Sequence, residues 1–246
     1  MNAPVAVVTG GGSGLGALIV RKLHSTGHRV AIADIDRDSA DALAAELGSG
    51  DSARGYQVDV SDKSALESLL SGVVGDFGSV EVLVNNAAKT QARSLMDITA
   101  EELDSVMAVG FKGTFSACQV FGSYMAGNGY GRIVNMASLA GQNGGTATGG
   151  HYASAKGAVM SLTKVFAREL APSGVTVNAV SPGPQDSPIV REIVGEANLE
   201  SFAHTIPVGR LGDPAFIAEM VSLLASPAAA SVTGACWDAN GGLYMR

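Results

Sequence analysis

Tyr152 and Lys156 stand four residues apart in "HYASAKGAV", residues 151–159. On a helix both side chains rise from one face, with Cβ atoms about 5–6 Å apart. A free phenol, with a pKa near 10, exchanges protons poorly at neutral pH. A cation about 5 Å away at an effective dielectric near 20 favours phenolate by roughly 3 kcal/mol, or about two pKa units. Such a pair would form a general acid or base with its tuning cation. The small neighbours Ala153, Ser154, Ala155 and Gly157 leave room for a molecule lying against the helix. An ordinary polar stripe on a surface helix has the same spacing, so the rest of the chain has to decide.

A second chemical stretch is "VVTGGGSGLGALIV", which runs from an apolar strand through a glycine-rich turn into a helix. The amides and dipole of a helix start attract phosphate, and the missing side chains at Gly10, Gly14 and Gly16 let it approach the backbone. The register from Gly12 to Ala17 also fits a G-x-G-x-x-A dinucleotide fingerprint. Asp34 closes the next strand about 20 residues on, where an acid accepts hydrogen bonds from ribose hydroxyls and repels a 2′-phosphate. NAD is therefore favoured over NADP, although Arg37 lies nearby. Asp59 ends the third strand and is read equally as a contact to an adenine amino group or as a turn cap. Asn85 and Asn86 follow the fourth strand, where Asn commonly satisfies loop backbone groups.

These residues need elements to position them. Apolar, β-branched runs at 5–9, 29–34, 56–60, 80–85, 131–138 and 174–181 alternate with stretches whose apolar residues recur at three and four spacing. Continuous apolar strands separated by helices mark a parallel sheet covered on both faces. Thr99 with Glu102 reads as a capping box opening a long fourth helix, and Pro172 with Gly174 ends the fifth. "GDPAFIAEMVSLLAS" supplies a last helix before a final strand near "VTGACWDA". No linker divides the pattern, so the expected fold class is α/β, one doubly wound domain with a mostly parallel seven-stranded sheet flanked by helices. Residues 182–212, "PGPQDSPIVREIVGEANLESFAHTIPVGRLG", read as an irregular insertion at a strand's carboxyl end, with a substrate lid at about 184–210.

Composition narrows the partners. The chain has 246 residues and a formal net charge of −7, with 16 basic residues against 23 acidic. Without a Lys/Arg cluster it is a poor match for nucleic acid, whose phosphates demand concentrated positive charge. Two distant cysteines and four histidines outside compact ligand spacings suggest neither a disulfide framework nor a metal site. The N-terminus lacks a basic signal region, and no run reaches the 18 apolar residues of a membrane span. A soluble, cytoplasmic protein with no membrane partner is expected.

Taken in order, Thr9-Gly10-x-x-x-Gly14-x-Gly16, "NNAA" at 85–88, Ser138, Tyr152-x-x-x-Lys156 and "SPGP" at 181–184 resemble the short-chain dehydrogenase/reductases along essentially the whole chain. The C-terminal "TGACWDANGGLYM" is most similar to the branch holding 3-oxoacyl carrier-protein reductases and small NAD(P)-dependent alcohol dehydrogenases. The resemblance implies a Rossmann-type catalytic domain over residues 1–246 that transfers a hydride between NAD(H) and a secondary alcohol or ketone. Tyr152 would be the general acid or base, Ser138 would hydrogen-bond the reacting oxygen, and Lys156 would hold the nicotinamide ribose. Cofactor contacts would come from Gly10, Ser13, Gly14, Leu15, Gly16, Asp34, Ile35, Asp59, Val60, Asn86 and Ala87. Tyr152, Lys156, Pro182, Gly183 and Ser187 would complete them.

Substrate would meet Ser138, Gln142 and Tyr152, in a pocket built from Ala88, Lys89, the segment "LAGQNGGTATGGH" and the lid. A homotetramer is implied as well. Two positions depart from the family pattern. Gly110 stands where an asparagine usually anchors a water in the proton relay, and Gln185 where an aliphatic residue is usual. The competing functions are a 3-oxoacyl thioester reductase, for which Arg132, Lys164 and Arg168 are candidate docking cations, and a dinucleotide-binding sensor with impaired chemistry.

Overall fold

The computed structural model describes residues 3–48, 50–90, 92–145 and 148–245, apart from the side chains of Ile189 and Ile193. Seven strands form one sheet among these residues: β1 (Val5–Thr9), β2 (Arg29–Asp34), β3 (Ala53–Gln57), β4 (Val82–Asn85), β5 (Gly131–Met136), β6 (Val175–Pro182) and β7 (Cys236–Ala239). Their order is β3-β2-β1-β4-β5-β6-β7, and every neighbouring pair is parallel. The expected "mostly parallel" sheet is thus wholly parallel.

Helices on both faces explain why the strands are continuously apolar: every residue of β1, β4 and β5 is buried. One core joins the sheet to α3 (Lys63–Phe77), α5 (Thr114–Gly127) and α7 (Gly150–Leu170) through Leu66, Phe121 and Leu162. The other joins it to α1 (Gly14–Ser25), α2 (Arg37–Glu46) and α10 (Pro214–Ala225) through Ile19, Leu43 and Leu224. The strand order reverses between β1 and β4, which opens a crevice at their carboxyl ends.

The third strand lies three residues earlier than its apolar run suggests, at 53–57 instead of 56–60. Its ladder with β2 runs from Val30–Ala53 to Asp34–Gln57 and closes when the Val58 amide donates to the Asp34 carbonyl at 2.8 Å. Since β2 stops there, Asp59 and Val60 have nothing to pair with and turn into the crevice.

The long fourth helix is divided. Thr99 forms the expected capping box on α4 (Ala100–Met107), with reciprocal bonds to and from Glu102 at 3.2 Å. The next six residues, Ala108–Gly113, wind as a π-turn before α5 begins. Two glycines make that possible. A Cβ on Gly110 would sit 3.3 Å from the Ala155 Cβ, and one on Gly113 would sit 3.0 Å from the Val60 carbonyl oxygen.

α7 starts two residues before Tyr152, and after Leu170 it passes through a 3-10 turn to Gly174, left-handed at φ 77°. The short α6 (Ala140–Asn143) follows β5. The insertion after β6 is more regular than its sequence suggests. It holds α8 (Pro188–Val194), a 3-10 turn (Glu196–Asn198) and α9 (Leu199–His204). Its two ends are joined at the base, where Gly212 donates to the Pro184 carbonyl at 2.9 Å and Asp186 donates to the Gly212 carbonyl at 2.8 Å. A side chain at 212 would collide with the Gln185 amide at 2.5–2.8 Å.

Candidate active site

A cleft of about 610 Å³ opens at the carboxyl ends of the central strands. Its floor begins where β1 ends. Gly10 turns the chain at φ +61°, and Gly14 opens α1 at φ +52° with nothing within 4 Å of where its Cβ would be. Ser13 is the N-cap of α1 but makes no side-chain capping bond, so its hydroxyl leaves the first-turn amides to the cleft. A Cβ on Gly16 would run into the Gly10 carbonyl oxygen; its absence lets α1 seat directly on the turn.

Asp34 faces this floor from the end of β2. Its carboxylate accepts from the Gly12 amide at 2.9 Å and the Asp36 amide at 3.1 Å. Those two bonds fix its orientation and leave lone pairs for a further donor. The open glycine turn, the uncapped amides and the fixed acid are the donor and acceptor set that a dinucleotide's diphosphate and ribose require.

The opposite end is built by β5 and α7. Ser138 leaves β5 and hydrogen-bonds the Tyr152 phenol, while its Oγ also accepts from the Ala140 amide at 3.2 Å. Lys156, 3% exposed, donates to the Met136 carbonyl at 2.5 Å and lies 5.7 Å from the centre of the Tyr152 ring.

Electrostatically, burial dominates both groups. It pushes Lys156 down to about 8, and it raises Tyr152 above the ordinary phenol value, with the Ser138 hydrogen bond as the opposing pull. The expectation that the nearby Lys156 cation brings the phenol down is therefore corrected: burial outweighs it. In an enclosed wall, desolvation disfavours both charges before either partner helps the other.

Of the residues named from sequence, Gly10, Ser13, Gly14, Leu15, Gly16, Asp34, Ile35, Asp59, Val60, Asn86 and Ala87 all line this cleft. Ala88, Lys89, Ser138, Tyr152, Lys156, Pro182 and Gly183 do as well. Asp59 also serves as a turn cap, accepting from the Ser61 amide at 2.9 Å and the Ser61 hydroxyl at 2.7 Å. Asn86 ties the glycine turn to β4 by donating to the Gly10 carbonyl at 2.9 Å. Asn85 stays in the core, donating to the Asn135 side chain at 2.8 Å.

Two of the named contact residues, Ser187 and Gln142, are not brought to the cleft, and neither the described part of the expected pocket segment 139–151 nor the insertion at 184–210 lines it. Ser187 caps α8, its Oγ accepting from the Val190 amide at 3.4 Å. Gln142 donates to Asp238 at 2.7 Å and accepts from Ser181 at 3.1 Å. That amide is spent joining α6 to β6 and β7. Thr146 and Ala147 of the expected pocket segment lie outside the described residues.

Arg132 is 3% exposed and bonds the carbonyls of Gly131, Gly174 and Ser226; it offers no docking charge. The cleft also gains Val58, Thr90, Val109, Met136 and Ala137. Met136 and Ala137 lead directly into Ser138, a signal the sequence carried. Val109 sits in the π-turn, which a 3.6-residue pattern does not reveal.

Among the described residues no three His, Cys, Asp or Glu side chains are grouped to hold a metal ion, and no helix is long and apolar enough to cross a membrane. A family model described as enoyl-(acyl carrier protein) reductase matches residues 10–244. The chain is 36% identical to a 3-oxoacyl-[acyl-carrier-protein] reductase of Vibrio cholerae, over 100% of this chain and 99% of the relative. It is 38% identical to an acetoacetyl-CoA reductase of Rhizobium meliloti, over 98% of each chain. It is 35% identical to a D-threitol dehydrogenase of Mycolicibacterium smegmatis, over 100% of this chain and 95% of the relative.

Proposed function

The chain belongs to the short-chain dehydrogenase/reductase family and is an oxidoreductase of nicotinamide dinucleotides, and we propose that it moves a hydride between NAD(H) and a secondary alcohol or ketone. One observation carries this reading: Ser138, Tyr152 and Lys156 meet on one wall of a cleft whose floor is an open glycine turn.

When bound, the nicotinamide supplies or accepts the hydride. Tyr152 delivers its phenolic proton to the carbonyl oxygen during reduction and takes it back during oxidation. Ser138, already bonded to that phenol, orients the same oxygen. Lys156 holds its cation beneath the phenol, anchored on the Met136 carbonyl. Asp34 receives ribose hydroxyls, and a 2′-phosphate there meets like charge, which supports NAD over NADP. The insertion at about 184–210 follows β6 at the same end of the sheet and is read as a lid that would close over the substrate, although its described residues line a separate pocket through Ile206, Val208 and Arg210 and not the cleft itself.

Exposed apolar residues support a homotetramer. Phe115 and Val165 (38% and 62% exposed) lie on α5 and α7, and Phe216 and Leu223 (58% and 53%) lie on α10, giving two separate faces to cover.

The test is a turnover screen of ketones and secondary alcohols with NADH/NAD and NADPH/NADP. Turnover with at least ten-fold better kcat/KM for the NAD couple is expected; equal or better use of the NADP couple would contradict the role given to Asp34. A second reading, reduction of 3-oxoacyl thioesters, is favoured by the activities for which the relatives are named. With Arg132 buried, Lys164 and Arg168 remain exposed for an acidic carrier, and an acetoacetyl thioester in the same screen decides it. Tight NADH binding without turnover of any carbonyl, unchanged in Gly110→Asn, would favour the sensor.

A further inference from the structure

The cleft's charges are sorted by the sheet. Asp34 ends β2 and Asp59 follows β3, on one side of β1, whereas Lys89 follows β4, on the other side, and Lys156 belongs to α7. Neighbouring strands lie about 4.8 Å apart, so β1 separates the ends of β2 and β4 by about 10 Å. The acids thus stand at the ribose end and the cations at the reacting end.

Lys156 is buried and committed to a carbonyl. Lys89 is exposed, and its Nζ donates to the neutral hydroxyl of Ser105 at 2.7 Å. Ser105 on α4 lies four residues before Val109, which lines the cleft, so that bond holds the ammonium along the cleft wall. Among the described residues Lys89 forms no ion pair, and its cleft-lining neighbours Ala87, Ala88, Thr90 and Val109 are neutral. Glu101, Glu102 and Asp104 of α4 lie near Ser105 in sequence without an ion pair to Lys89 among the described residues. A cation held at the cleft wall in this way selects for an anion there.

We propose that the substrate of the hydride transfer carries a carboxylate beyond its carbonyl, and that Lys89 receives it. This rests on the oxidoreductase reading and adds to it the chemical class of substrate. Lys89 is a specificity residue: it acts on binding, and the proton chemistry stays with Tyr152.

The test compares 4-oxopentanoate with its methyl ester, both reduced with NADH, in the wild type, Lys89→Met and Lys89→Arg. The wild type should favour the carboxylate by about five-fold in kcat/KM, the upper range of a solvent-exposed ion pair. Lys89→Met should erase that preference through KM, Lys89→Arg should keep it, and added salt should erode it. The dissociation constant for NADH should not change.

Equal kinetics on the two substrates in the wild type would overturn the proposal. So would an equal loss on both in Lys89→Met, or weakened NADH binding, which would assign the lysine to the cofactor. A Lys89-dependent preference for acetoacetyl-CoA over the neutral acetoacetyl-pantetheine, without one for 4-oxopentanoate, would place the anion on a phosphate instead. All these outcomes leave the oxidoreductase reading standing as long as the ester is reduced. Failure to reduce any carbonyl would overturn both.

Discussion

At the scale of single residues, Lys156 sets two measurable behaviours. Burial holds it at about 8 against an ordinary 10.5, a gap worth on the order of 3 kcal/mol. Between those values the unfolded chain binds more protons than the folded one, so this group's contribution to stability rises with pH across the window. At pH 7 its full cost stands. Lys156→Met should therefore raise the unfolding free energy by about 1–2 kcal/mol at pH 7, with the gain shrinking toward pH 10, while abolishing turnover. Denaturant titrations at the two pH values check this. Carbonyl reduction needs a protonated Tyr152, which burial favours, and a charged Lys156. Its kcat/KM should be level from pH 6 to 7 and fall through an apparent pKa near 8; a profile flat beyond pH 9 would contradict the assignment. That Ser138, Tyr152, Lys156 and Asp34 line one cleft was legible because their types recur at fixed offsets from strands and glycines. Their electrostatics were not, because desolvation depends on the enclosing wall. Gln142 misled for a related reason: an amide after β5 looks available until Asp238 and Ser181 claim it.

At the scale of elements, the π-turn between α4 and α5 is the least ordinary feature, and its two glycines are not equivalent. Gly110 meets only the Ala155 Cβ at 3.3 Å, whereas Gly113 packs against the Val60 backbone and side chain at 3.0 Å. Gly110→Ala should change stability by less than about 0.5 kcal/mol, since helix propensity offsets mild crowding. Gly113→Ala should cost about 1–3 kcal/mol and raise KM for the cofactor, because Val60 lines the cleft. Thermal melts with cofactor titrations separate the two effects, and equal behaviour of the variants would contradict this account. β1 and β2 were legible to the residue, being continuous apolar runs bounded by turn signals. The π-turn was not, since an extra residue per turn leaves the apolar spacing nearly unchanged. β3 was misplaced because "VDV" has a strand's composition yet finds no partner once β2 ends.

At the scale of the whole molecule, the doubly wound architecture was legible because parallel strands buried on both faces leave uninterrupted apolar runs between amphipathic helices. The insertion after β6 was legible only as a departure from that rhythm. Its helices are seven and six residues long, too short for a periodic pattern to emerge. If α7 and α10 form the two subunit faces, Val165→Glu combined with Leu223→Glu should break the tetramer into smaller species in sedimentation velocity, and an unchanged tetramer would place the interfaces elsewhere. The most direct test of the central claim is the reduction of a ketone by NADH in Tyr152→Phe, with NADH binding measured in parallel. Turnover should fall by about 10²–10⁴-fold with NADH affinity within two-fold of the wild type. Turnover within ten-fold of the wild type would contradict it.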